Sequence, residues 1–252
     1  KKFSHFPVEK FSNLFFVTMA EYNKELKVDV AFPEESIEKP LGLVLSEAGL
    51  KQLRIAEGEK YAHVTHFFDG GSDTVFPGEE RVKVDSVNTK DFSDHPKMSA
   101  KDISDRVVQE IEKGKFDVII MNYANPDMVG HTGNYEATVQ ALEFLDPQIG
   151  RVVDAALAAG GAVLLTCDHG KAETITSTLT GKRTTDHTNN PVPLIYVAPH
   201  VKLPAPKDEA VVVQILSNPI GVLADVAPTT LEILGLSAPP QMTAQSLLGS
   251  LT

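Results

Sequence analysis

Cysteine is almost missing from this 252-residue chain: Cys167 stands alone, so no intrachain disulfide can form. That scarcity points to a reducing, cytoplasmic setting. No apolar run is long enough to span a bilayer, and no signal peptide is visible, so no membrane role is expected. The sequence opens Lys1-Lys2-Phe3 without an initiator Met, as a processed chain or a fragment would. Basic residues are in deficit, 23 Lys and Arg against 34 Asp and Glu, for a formal net charge of -11. This argues against nucleic acid as a partner, because a phosphate backbone needs a basic face. It leaves small phosphorylated substrates open, since a bound metal can override net charge locally.

What is present reads as alternating strands and helices. Asn13–Thr18 is short, aromatic and β-branched, which suits a strand. Charged and Pro-containing sequence from Glu21 to Pro40 suggests a linker or domain edge. Leu41–Ala48 then reads as a helix ended by Gly49, and His63–Phe68 as a strand. Lys101–Lys113 carries Ile103, Val107, Val108 and Ile111 near a helical period, with Gly114 after it. Phe116–Met121 and Ala162–Thr166 are continuous apolar runs, as strands buried on both faces would be. Between them lies a long helix, Tyr135–Ala159, closed by Gly160 and Gly161. Leu194–Ala198 is a further strand, and Asp225 is placed to cap a last helix with Pro228 in its first turn and Gly235 beyond it. The pattern implies an α/β domain with a largely parallel sheet and helices on both faces. Ligands of such folds collect beyond the carboxyl ends of the strands.

Three polar clusters occupy loop positions there. After the Phe116 strand, Asp127 and His131 are four residues apart, so one turn of backbone can aim both at one ion. By itself this pair reads better as an Asp capping the next helix and a solvated His. After the Ala162 strand stand Asp168 and His169, ambiguous alone. Before the Leu194 strand lies Thr184–Pro193, in which His187 is the notable residue and Asp186 a ligand, an orienter or neither. Together, mixed Asp and His donors suit Mn²⁺, Zn²⁺, Co²⁺ or Fe²⁺ better than Mg²⁺. Two such ions roughly 3.5–4 Å apart clamp the attacking and leaving oxygens of a phosphoryl transfer.

The motif Asn125-Pro126-Asp127-Met128-Val129-Gly130-His131-Thr132-Gly133 resembles that of cofactor-independent phosphoglycerate mutases. The runs Ala48–Glu57 and Glu59–Thr65 are similar to the same family, as is Phe76-Pro77-Gly78-Glu79-Glu80-Arg81. Asp168-His169-Gly170 and His187 match its remaining metal motifs. The tail Ala224–Glu232 is shared more widely across the alkaline-phosphatase-like superfamily. The resemblance covers nearly the whole chain and implies an alkaline-phosphatase-like fold. It implies interconversion of 3-phosphoglycerate and 2-phosphoglycerate in glycolysis, through a serine that takes the phosphoryl group and returns it.

On the same resemblance, Asp127, His131 and His187 hold one divalent metal, and Asp168 and His169 the second. Mn²⁺ is the first choice, with Co²⁺, Zn²⁺ or Mg²⁺ as alternatives. Lys60 matches a lysine that contacts the phosphoryl region; without the resemblance it would be read as solvated. Four positions depart from the pattern: Cys167 and Asp186 where Ala is common, Lys171 where Asn is usual, and Asn189 where Thr is common. The family's first strand with its Asp ligand, its nucleophilic Ser and its substrate-gripping Arg and His residues have no match, so no catalytic nucleophile is assigned. Residues 1–35 are expected to be the end of an inserted transferase domain and its hinge, and residues 36–252 an incomplete metal-binding phosphatase domain. The missing N-terminal segment is then an expected partner. A related phosphomonoesterase or phosphopentomutase, or a non-catalytic metal- or partner-binding module, are the rival readings.

Overall fold

The computed structural model describes residues 7, 9, 11–23, 25–33, 37–177, 181–201 and 207–252, and the chain divides into two units, Lys1–Ile37 and Glu38–Thr252. Parts of the first expected domain, including Lys1–Phe3, lie outside the described residues. The first unit holds a two-residue parallel pair, β1 (Val17–Thr18) and β2 (Asp29–Val30). The strand expected over Asn13–Thr18 is confined to its last two residues.

The second unit begins with α1 (Leu41–Glu47), closed by Gly49 at φ +76°, a backbone angle that favours glycine. There follow β3 (Gln52–Glu57), α2 (Tyr61–Val64), β4 (Glu79–Val84), α3 (Ala100–Lys113) and β5 (Val118–Met121). Next come α4 (Asn125–Gly130), α5 (Tyr135–Ala158), β6 (Val163–Thr166) and β7 (Leu194–Val197). The chain ends with α6 (Glu209–Leu216), α7 (Val226–Ile233) and α8 (Leu248–Leu251). No helix among the described residues is long and apolar enough to cross a membrane.

Strands β4, β3 and β5 form a parallel sheet in that order, with Leu53 beside Glu80 and Ile119. Side chains alternate along β3. Leu53 and Ile55 join Ile103, Val107 and Val152 of α3 and α5 on one face. On the other, Val118 and Ile120 of β5 pack with Leu41, Leu45 and Leu231 of α1 and α7. Helices thus cover both faces, as expected. Strands β6 and β7 pair with each other in antiparallel sense, because the segment between them doubles back instead of crossing over through a helix. All four residues of β5 and of β6 are partly exposed, where burial on both faces was expected. Among the described residues β5 pairs with β3 alone and β6 with β7 alone, so each presents one open edge.

Three further expectations are corrected. His63–Phe68 is not a strand: Tyr61–Val64 is helical, and the chain then turns through Gly70 and Gly71, both at positive φ. The Asn125 motif is not a loop but the helix α4, with Pro126 in its first turn, where proline is tolerated. Asp225 stands at the start of α7, yet its carboxylate accepts the backbone N–H groups of Val222 at 2.8 Å and Gln245 at 2.9 Å. These bonds pull its pKa down and tie the chain's tail to α7.

The polar half of β3 builds a buried ion network. Arg54, wholly buried, donates to Gln52 Oε1 at 2.7 Å, lies 3.5 Å from Asp69 Oδ1 and stacks on Phe68. Arg81 Nη2 reaches Asp69 Oδ2 at 2.9 Å, and its Nε pairs with Glu79. Gly42 of α1 leaves room for the network: a Cβ there would stand 2.7 Å from Asp69 Oδ1 and 3.1 Å from Phe76 Cδ2, and would meet the Arg54 guanidinium. Gly42→Ala is expected to cost about 1–3 kcal/mol of stability through overpacking, read by urea denaturation. An unchanged midpoint would show that the network relaxes freely.

Candidate metal centre

The site forms where the strands of the second unit end. Leaving β5, the chain turns into α4, which places Asp127 in its first turn and His131 just beyond its last. Spacing i, i+4 on a helix puts both on one face. His169 follows β6, and His187 lies on the polar arm before β7. Lys60 closes the short 3₁₀ turn after β3.

The structure brings Asp127, His131 and His187 together. Asp127 Oδ1 lies 3.0 Å from His131 Nε2 and 3.2 Å from His187 Nε2, and the two nitrogens are 2.9 Å apart. His131 Nδ1 is 2.6 Å from the carbonyl oxygen of Thr185. A carbonyl only accepts, so Nδ1 donates there, and Nε2 is the nitrogen turned to the cluster. Asp127 Oδ1 is buried and receives no hydrogen bond. A carboxylate oxygen and an unprotonated imidazole nitrogen this close repel, and a cation held between them turns the repulsion into attraction. The three donors are close enough for one ion with bonds of about 2.0–2.2 Å to touch all of them. The residues present therefore fit a divalent metal.

Lys60, nearly buried, pairs its Nζ with the other oxygen of Asp127. Burial alone would raise the Asp127 pKa, but the hydrogen bond and charge of Lys60, with His131 and His169, outweigh it and hold the carboxylate below its usual range. Asp127 thus divides its oxygens, Oδ2 to the lysine and Oδ1 to the imidazoles. His169 stacks on His187 with ring centroids 3.6 Å apart, and its Nε2 lies 3.9 Å from Asp127 Oδ1 and 3.6 Å from Asp168 Oδ2. Asp168 is more exposed, beside His169 at the rim of the cluster.

Sequence reading passed over His63. Burial, then the charge of Lys60, pulls its pKa down, while Asp168 and Asp127 act against them. Its Nδ1 is buried without a hydrogen-bond partner. The available signal was its spacing from Lys60, three residues along a helical turn.

Residues 18–238 match the family model of the metalloenzyme superfamily. The chain is 49% identical over 247 residues to the 2,3-bisphosphoglycerate-independent phosphoglycerate mutase of a Synechococcus strain, covering 98% of this chain and 46% of that protein. It is 46% identical over 246 residues to 2,3-bisphosphoglycerate-independent phosphoglycerate mutase 2 of Methanosarcina acetivorans, covering 98% of this chain and 45% of that one. A crystal structure of Leishmania mexicana phosphoglycerate mutase at low cobalt concentration superposes with a TM-score of 0.75 at 25% identity, over 91% of this chain and 43% of that chain. The chain spans about half the length of the curated relatives it matches. The fold is alkaline-phosphatase-like, as the motifs implied. By its motifs, its donor cluster and the match over most of its length, the chain belongs to the metalloenzyme superfamily.

Proposed function

We propose that this chain carries the metal-binding part of a 2,3-bisphosphoglycerate-independent phosphoglycerate mutase. Joined to the rest of that enzyme, it interconverts 3-phosphoglycerate and 2-phosphoglycerate in cytoplasmic glycolysis. The observation that carries this reading is the convergence of Asp127 Oδ1, His131 Nε2 and His187 Nε2 on one point. The names of the relatives supply the reaction.

In that reaction the substrate's P–O ester bond breaks as a serine Oγ–P bond forms. The serine ester then breaks as the second glycerate hydroxyl bonds to phosphorus. Each attacking hydroxyl gives up its proton, and each departing oxygen takes one. We assign the serine, and the groups that grip the glycerate, to the remainder of the protein. Two bound divalent ions, Mn²⁺ foremost, would polarise the phosphoryl oxygens and lower the serine pKa. Asp127, His131 and His187 would hold one ion, with Asp168 and His169 at the other. Lys60 fixes Asp127, and its remaining N–H groups are available to a phosphoryl oxygen. Residues 1–35 would end an inserted transferase domain, and residues 36–252 would form the metal-binding domain. The open edges of β5 and β6 support a further strand from the missing segment.

The test is a mutase assay with Mn²⁺ and 3-phosphoglycerate. The expected result is 2-phosphoglycerate from the full-length protein and none from this chain alone. Robust turnover by the chain alone would overturn the assignment of the serine, and a full-length protein inert toward 3-phosphoglycerate would overturn the function.

A further inference from the structure

We infer that the turn at residues 170–173 is a clasp that fixes the ligand arm of the metal centre, with Glu173 and Lys171 as its positioning residues. This rests on the metal reading above. His187 lies on an arm that belongs to no helix or strand, so something outside the arm must hold its ring in place. Two attachments do so, one on each side of His187.

On the far side, Thr188 N donates to the Gly170 carbonyl at 2.8 Å, in an isolated antiparallel bridge. Glu173 Oε1 accepts from the Thr188 hydroxyl, and from Asn190 Nδ2 at 2.9 Å. Burial pushes the Glu173 pKa up, but these donors outweigh it and hold the carboxylate low. A Cβ at Gly170 would stand 2.5 Å from Glu173 Oε1 and collide with the Thr188 hydroxyl, so only glycine lets the turn approach the arm this closely.

On the near side, Lys171 is 3% exposed. Its Nζ donates to the Thr184 carbonyl at 3.3 Å. The next carbonyl, that of Thr185, is the one that accepts from His131 Nδ1. The lysine stem runs over Gly130, the residue before His131; a Cβ there would be 3.1 Å from Lys171 Cγ. Lys171 therefore touches both segments that carry imidazole ligands, and Glu173 locks the arm that carries His187. Partners behind metal ligands set ligand orientation and with it affinity.

The full-length protein and its Glu173→Ala and Glu173→Gln variants should be titrated with Co²⁺, following visible absorption and affinity together. Glu173→Ala is expected to bind Co²⁺ about 10–100-fold more weakly, with altered d–d bands. Glu173→Gln should stay near wild type, because its amide oxygen still accepts from both donors. If Glu173→Ala does not fold, Asn190→Ala and Lys171→Met, which cut one attachment each, should show the same weakening in smaller measure. Wild-type affinity and spectrum in the folded alanine variants would overturn the clasp while leaving the metal reading intact. A folded wild-type protein that binds no Co²⁺ would overturn the metal reading and the clasp with it.

Discussion

Asp127→Asn is expected to weaken binding of Co²⁺ by more than about 100-fold, beyond what loss of a partner behind a ligand produces. Asp127 supplies the one carboxylate of the triad, and its Oδ1 faces two imidazole nitrogens at 3.0 and 3.2 Å. The asparagine oxygen keeps the shape but loses the charge. The substitution also strips Lys60 of its anionic partner. A nearly buried ammonium then remains at the site without its counter-charge and opposes the approach of a metal cation. Calorimetric titration measures both consequences, and a wild-type dissociation constant in the variant would show that the metal lies elsewhere.

Asp69→Ala carries the largest expected loss of stability, about 3–5 kcal/mol, because it removes both carboxyl oxygens that the buried guanidinium of Arg54 and that of Arg81 face, oxygens a protonated Asp69 would keep. Arg54→Met in the same background should recover much of that loss, since a buried pair replaced by packed apolar groups is often near neutral. A single substitution that is silent in urea denaturation would show that Glu79 and Gln52 suffice for Arg54. The network also has a pH signature. Burial raises the Asp69 pKa from 3.8 to about 6, against the opposing pull of Arg54 and Arg81. A raised folded pKa means that the folded state binds the proton more tightly. The stabilisation from this group is therefore full below pH 3.8 and is lost as pH rises through about 6. Asp69→Asn should flatten stability across that window.

The sequence displayed the outer elements of the second unit better than its centre. Residues Lys101–Lys113 and Tyr135–Ala158 are amphipathic or Ala-rich over many turns, so periodicity finds them. Strand β3 escapes the same reading because Gln52, Arg54 and Glu57 look like surface residues, yet every residue of the strand is buried. Their burial rests on partners brought from elsewhere in the chain, such as Asp69 for Arg54, and no local pattern records that. His63–Phe68 misleads in the opposite way: His63, Val64, Phe67 and Phe68 have strand-like composition, but Lys60 and Tyr61 start a helical turn. At the site, the donors are visible as residue types placed after apolar runs. The pairing of Lys60 with Asp127 and of Glu173 with Thr188 is not visible, because it depends on how three chain segments fold onto one another.

Among the described residues the segment joining β6 to β7 returns on itself, and the bridges of Gly170 with Thr188 and of Thr176 with Arg183 divide it into a base and a far end. His169 and His187 both lie at the base. The far end can then change in length between homologous proteins without moving either imidazole. The entropy of closing a loop grows slowly with its length, by about 0.6 kcal/mol for each doubling. Evolution is thus free to vary this tip, by insertion or by substitution, while the chemistry at the base stays fixed. A recognition loop for some other molecule could be grafted there without rebuilding the site.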